Sequence, residues 1–289
     1  MVAAMGNHAA LCGGFEGVDA IRLKSGAHLL AVHVCMAMVL APAQVSAADL
    51  TARDVTVKFH EAEPNKPVDL SGKDLSNLDL AGLNFKSAVL EKANLYGADL
   101  TSANLSGTDL RGAKLDRAIL MRTDFSGANL EGATILAPSV FSDATFNYAD
   151  APNFTGAKMA GARIAARMDG ANFTGADLSG VWIGPSERGS EAGMAPSSRS
   201  PGMNFTDANL SGAVIKEVEM IFARFTNANL SGAKLINVDL SRADLSGADL
   251  TGVELTGCNL DGANLTGVKG FDTVTGLASV QNLDKAQRE

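Results

Sequence analysis

From Leu70 to Ile135 every fifth residue is a bulky hydrophobe, with eleven Leu, Phe85, Phe125 and Ile135 filling 14 positions. The same spacing returns from Phe205 to Leu265, where nine Leu, Phe205, Phe225, Ile215 and Met220 fill 13 positions. A small residue, usually Ala, sits two places before most centres, as at Ala93, Ala98, Ala103, Ala208, Ala228 and Ala248. Asp or Asn often lies between, and Ser or Thr followed by Gly often comes after, as in ANLSG at 103–107 and ADLSG at 243–247. Neither regular element accommodates a period of five. On a helix, five steps carry the chain well past one full turn without completing a second, so successive leucines spiral around the axis without forming a face. On an unbroken strand an odd period sends alternate leucines to opposite faces. The pattern is consistent only when the chain turns a corner in every unit. A short extended piece then points Ala and Leu inward and Asp or Asn outward, and the Ser/Thr-Gly pair forms the corner. Stacking such coils makes a solenoid.

These units resemble the pentapeptide-repeat proteins, whose consensus is A(D/N)LXX. The resemblance covers residues 68–268 and implies an all-β solenoid, a right-handed quadrilateral β-helix with four repeats per coil. Between the two regular blocks the register slips. Phe141, Phe146 and Ala151 suggest one phase, Phe154, Met159 and Ile164 a second, and Met168, Phe173, Leu178 and Ile183 a third. With these included the rod is expected to have about nine coils and a length of ~45 Å at the spacing of stacked strands. Residues 184–202 have no repeat character. Gly, Ser and Pro supply 12 of the 19, which predicts an exposed loop extruded from one corner.

The solenoid needs covers at both ends, because an open coil exposes strand edges and apolar side chains. Residues 48–67 are expected to form an N-terminal cap, with a helix opened by a capping-box arrangement at Thr51–Asp54 and ended before Pro64. Residues 269–289 are expected to form a C-terminal cap, a helix laid on the last coil through Leu277, Val280 and Leu283. Residues 1–47 read as a signal peptide and leader. An apolar run spans Ala27–Leu40, and Val45-Ser46-Ala47 places small residues at the positions a signal peptidase accepts before Ala48. The run is 14 residues, short of the ~20 needed to span a bilayer. No stable membrane span is therefore expected after cleavage, and the expected location is periplasmic or secreted.

Composition narrows the chemistry. The chain of 289 residues is 46% hydrophobic and only 5% aromatic, with a formal charge of −8, which argues against a polybasic nucleic-acid binder. Beyond the leader the only histidine is His60 and the only cysteine Cys258. Neither a nucleophilic triad nor a zinc site can be assembled from them, and Cys258 falls at a small inward position. Asp69, Asp74, Asp79, Asp99, Asp109, Asp124, Asp239, Asp244 and Asp249 occupy outward positions where stacking brings some together. Paired carboxylates of that kind suggest a glycosidase or calcium ligands, but the repeat places Asp or Asn there by rule. No catalytic, cofactor-binding or metal-binding residue is assigned, and the chain is not read as an enzyme. The candidate partner contacts are Trp182 and, in the loop, Glu187, Arg188, Met194 and Arg199. The leading reading is a non-catalytic exported scaffold that presents a protein-binding surface on a rigid acidic rod. The alternative comes from the resemblance: some pentapeptide-repeat proteins mimic DNA, occupy gyrase, and dimerise through a C-terminal element, which would make this chain a DNA-mimicking, gyrase-interacting homodimer.

Overall fold

A five-residue unit with Asp or Asn at its outward position closes on itself through two local devices. In the first, the Asp69 carboxylate accepts the N–H of Ser71 at 2.9 Å, an Asx turn that commits the outward side chain to the corner. In the second, the Leu70 carbonyl accepts the N–H of Lys73 at 3.1 Å. Gly72 takes φ +64°, the left-handed value that the third residue of a type II turn requires. The chain thus turns by one corner and begins the next short extended piece. In the computed structural model, residues 48–63, 66–85, 87–140, 147–185 and 200–289 are described. Ser46–Glu289 forms one compact unit.

Four such pieces make a coil, with faces centred in the first coil on Leu70, Leu75, Leu80 and Phe85. Coils stack by parallel backbone pairing. On the fourth face the ladder runs Asn84, Asn104, Asp124, Asn153, Asn172, Asn204, Arg224, Asp244, Asn264 and Gln287. On the second face the extended pieces lengthen into strands, β1 (Thr134–Leu136), β2 (Arg163–Ala165), β3 (Trp182–Ile183), β4 (Val214–Lys216), β5 (Lys234–Ile236) and β6 (Glu254–Thr256). They pair in chain order as one parallel sheet. The centres and their small partners fill the interior: Leu105, Ala103, Leu230 and Ala228 are each at most 1% exposed. On the fourth face Phe125, Phe154, Phe173, Phe205 and Phe225 stack one above the next, with ring centroids 4.8–5.1 Å apart.

The irregular middle keeps its ladders. Coils of equal length join Asn84 to Asn104 and Asn104 to Asp124. The chain then takes a longer path from Asp124 to Asn153, a path one residue short from Asn153 to Asn172, and its longest from Asn172 to Asn204. Phe154, Met159, Ile164, Met168, Phe173, Leu178 and Ile183 are all buried, so the second and third phases are as expected. Phe141 and Phe146 lie outside the described residues. Ala151 does not fill the core: it is half-buried at the end of a 3₁₀ turn, Tyr148–Asp150. The slip between Ile164 and Met168 is a corner one residue short.

At the N-terminal end α1 (Ala52–Glu61) carries the capping box in full, and its Val55 and Phe59 are buried. Phe59 meets Phe85 edge to face at 5.3 Å. The C-terminal end corrects the expectation of a helix on the last coil. Residues 269–289 form a further coil of three 3₁₀ turns, Phe271–Thr273, Leu277–Ser279 and Leu283–Lys285. Thr275 pairs with Glu254, Gln281 with Asn259 and Gln287 with Asn264. The separation between partners thus grows by one residue at each successive corner. The corner residues Gly270, Gly276 and Asn282 recur every six and all have positive φ. Leu277, Val280 and Leu283 recur every three because a 3₁₀ turn also has that period, and a three-residue spacing imitates one face of an α-helix.

Candidate partner-binding site

The outward carboxylates belong to the architecture. Each of the nine aspartates accepts the backbone N–H two residues on, at 2.9–3.2 Å. Asn side chains then tie coil to coil, as where Asn94 Nδ2 donates to Asp74 Oδ1 and Asn264 Nδ2 to Asp244 Oδ1, both at 3.0 Å. Hydrogen bonds from Ser71 hold Asp69 below the usual carboxylate range, and those from Thr251 do the same for Asp249. A general acid needs the opposite shift. Cys258 is buried, its thiol directed at the Leu235 carbonyl at 3.2 Å, and burial pushes it up to about 11. That is the reverse of a reactive cysteine. His60 is exposed on α1. No group of His, Cys, Asp and Glu suited to a metal occurs among the described residues.

The described coil is interrupted at two places, one in the level that holds Val140 and Phe154 and one in the level that holds Leu178 and Phe205, with the complete coil from Met159 to Phe173 between them. The first interruption follows Val140, and bonds between coils resume at Asp150, whose carbonyl accepts the Arg122 N–H at 2.8 Å. The second follows Pro185, and Ser200 takes the third-face core place that Leu120, Val140 and Met220 fill elsewhere. The return at Ser200 is tightly held. The Ser200 hydroxyl accepts the Met168 N–H at 3.0 Å and donates to the Ala166 carbonyl at 3.3 Å. The Ser200 N–H donates to the Glu219 carbonyl at 2.7 Å. Beside it Asp169 is 1% exposed and takes two hydrogen bonds on Oδ2 from the Arg167 guanidinium, at 2.7 and 3.0 Å. Its Oδ1 has no hydrogen-bond partner.

Trp182 lies in β3, half-buried, with the Arg163 guanidinium 4.9 Å from its ring centre. It therefore packs at the base of the second departure, on the outer side of the second face. Glu187, Arg188, Met194 and Arg199 lie outside the described residues. The sequence reading did not single out Tyr148 and Phe222, which are 54% and 52% exposed. Both stand on the corner between the third and fourth faces. The Tyr148 ring sits against Gly170 and Gly202, leaving no room for a Cβ at either. Phe222 is the next corner residue beyond Gly202, and the Arg242 guanidinium sits 5.5 Å from its ring centre. The signal was present: an aromatic residue in the second corner position, where Gly or a polar residue is usual.

Parallel ladders on four faces, a corner every five residues and an interior of Leu, Phe and Ala define a repeat β-helix. The family model for pentapeptide repeats matches in eight copies, over residues 69–107, 103–135, 202–232 and 228–267. The chain belongs to the pentapeptide-repeat family. Among solved structures, it is similar to HetL, a pentapeptide-repeat protein involved in heterocyst differentiation regulation from the cyanobacterium Nostoc sp. strain PCC 7120. That likeness has 24% identity over 82% of this chain and 94% of HetL, with a TM-score of 0.45. Full-length QnrB1, a plasmid-mediated fluoroquinolone resistance protein, aligns at 17% identity over 77% of this chain and 92% of its own, with a TM-score of 0.34. A pentapeptide-repeat protein from the Arabidopsis thaliana thylakoid lumen aligns at 32% identity over 43% of this chain and 77% of its own, with a TM-score of 0.18. No curated protein sequence matches.

Proposed function

We propose that the protein is an exported, non-catalytic scaffold that binds a protein partner through the irregular side of its solenoid. The observation that carries this reading is the construction of the third face. Two interruptions of the coil flank one complete coil, in which Met168 is bonded to Ser200, Asp169 is held by Arg167, and Gly170 is covered by Tyr148. A rigid frame that positions variable segments is a common basis for recognition. Export rests on the apolar run at 27–40 and the Val45-Ser46-Ala47 signal in the sequence. Among the described residues no helix is long and apolar enough to cross a membrane.

The charge pattern does not favour DNA mimicry. A mimic needs a regular run of negative charge, since DNA carries one per ~1.7 Å of axis. Here Lys158 and Lys269 interrupt the ladder that begins at Asp69, and Lys114, Arg163 and Lys234 interrupt the one that begins at Asp74. A homodimer through the C-terminal coil is part of the proposal, and light scattering on the purified protein would test it.

The experiment is cell fractionation with intact mass, followed by pull-downs using wild type and a deletion of residues 186–199. A periplasmic protein beginning at Ala48 or Asp49, with a partner retained by wild type and lost by the deletion, is the expected result. A cytoplasmic protein that keeps its leader would overturn export. Equal, background-level recovery by both baits would overturn the scaffold.

A further inference from the structure

Phe222 combines two unfavourable features on the surface. Its φ is +60°, a left-handed backbone that a bulky L-residue adopts only under strain. Among the described residues the other non-glycine positions with positive φ carry Asn, Asp, Ser, Lys, Arg, Glu or Ala, and Phe222 alone is aromatic. The ring is also 52% exposed, so core packing does not compensate for the strain. Tyr148 extends the apolar edge by lying across Gly170 and Gly202, and the Gly202 N–H donates to the carbonyl of Ile221, the residue before Phe222.

The charges flanking this edge are unusual for an acidic chain. Arg224 and Arg242 are exposed, and neither makes an ion pair with a described residue. Arg224 pairs through its backbone with Asp244 on the next coil, but that carboxylate is already occupied. Oδ2 accepts Thr226 at 3.0 Å, and Oδ1 accepts both the Ser246 N–H and Asn264 Nδ2 at 3.0 Å. Burial raises Asp244, but these hydrogen bonds outweigh it and hold the group in its charged form. Two guanidinium groups without a carboxylate partner among the described residues thus flank the edge, that of Arg242 lying 5.5 Å from the Phe222 ring centre. Across the corner, Asp239 stands on the third face and disfavours an anionic ligand there, so an incoming anion is steered to the fourth-face side.

We propose that Tyr148, Phe222, Arg224 and Arg242 form a docking edge for an acidic peptide segment of a partner protein that also carries an aromatic residue. Guanidinium groups bind carboxylates in a fork geometry, and Arg with aromatic residues dominates interface hot spots. The proposal deepens the scaffold reading by naming the place and the partner's chemistry, and it rests on that reading.

The probe is a soluble glutamate–tyrosine copolymer, compared with polyglutamate of the same length and followed by fluorescence anisotropy. Wild type is expected to bind the copolymer about tenfold more tightly than polyglutamate. F222G is expected to lose about tenfold in affinity while melting at a higher temperature, because glycine relieves the left-handed strain. R224Q with R242Q is expected to lose a similar factor, whereas R53Q with K73Q, remote from the edge, is expected to bind as wild type does. No binding by wild type, equal affinity for the two polymers, or undiminished binding by F222G would overturn the edge. A cellular partner recovered equally by wild type and F222G would refute this docking edge and leave the scaffold reading standing.

Discussion

At the scale of single residues, size and backbone sign decide what a position tolerates. Ala228 is fully buried at the narrow inward place of its unit. A228F is therefore expected to overpack the coil and to cost ~1–3 kcal/mol. L105A, by opening a cavity in the same layered interior, is expected to cost ~2–5 kcal/mol. Urea melts of both variants check the pair, and an unchanged midpoint for A228F would contradict the inward assignment. Gly170 is held to glycine twice over, by its φ of +69° and by the Tyr148 ring against its Cα. G170A is expected to be destabilising, and part of that loss is expected to vanish in a Y148A background. A double-mutant cycle measures the coupling directly. The inward Ala–Leu pairing and the corner residues were legible from sequence because each repeats with one period. Tyr148 on Gly170 and Gly202 was not, because it joins residues in separate coils of unequal length.

At the scale of elements, the two ends of the solenoid are covered by different means. The N-terminal helix depends on Thr51, whose hydroxyl accepts the Asp54 N–H at 3.2 Å while Asp54 accepts the Thr51 N–H at 2.9 Å. T51A is expected to cost ~0.5–2 kcal/mol, read from the melting temperature. Hydrogen bonds from Thr51 also hold Asp54 below the usual carboxylate range. A group depressed in the folded state stabilises above its unfolded pKa and loses that contribution as pH falls through the folded value. The helix is therefore expected to loosen in acid, from about pH 4 downward, and T51A is expected to flatten that dependence. The helix was readable because its cap is a local motif. The C-terminal coil was not, because Leu277, Val280 and Leu283 fit an α-helical face and a 3₁₀ corner equally well. The decisive signal, Gly270, Gly276 and Asn282 at a period of six, only has meaning once the five-residue corner is known.

At the scale of the whole solenoid, the hydrogen-bonded aspartates act together. Those whose carboxylates are depressed, Asp69, Asp109, Asp244 and Asp249, favour folding at neutral pH and cease to do so as they are protonated. Thermal stability of the repeat unit is expected to fall as pH drops below about 4, and calorimetry from strongly to mildly acidic buffer would show it. A melting temperature flat over that range would mean the Asx turns contribute no net charge-dependent stability.

The ladders also show what kind of history such a molecule permits. Asp124, Asn153, Asn172 and Asn204 are successive rungs of one ladder although the chain between them varies in length, because each surplus or deficit is absorbed at a corner before the next rung forms. Segments can therefore be gained, lost or exchanged at those corners without renegotiating the interior. Such a lineage keeps its frame while changing what it displays. The same tolerance would let a foreign peptide be grafted between Pro185 and Ser200 and held between two fixed, rigid anchor points.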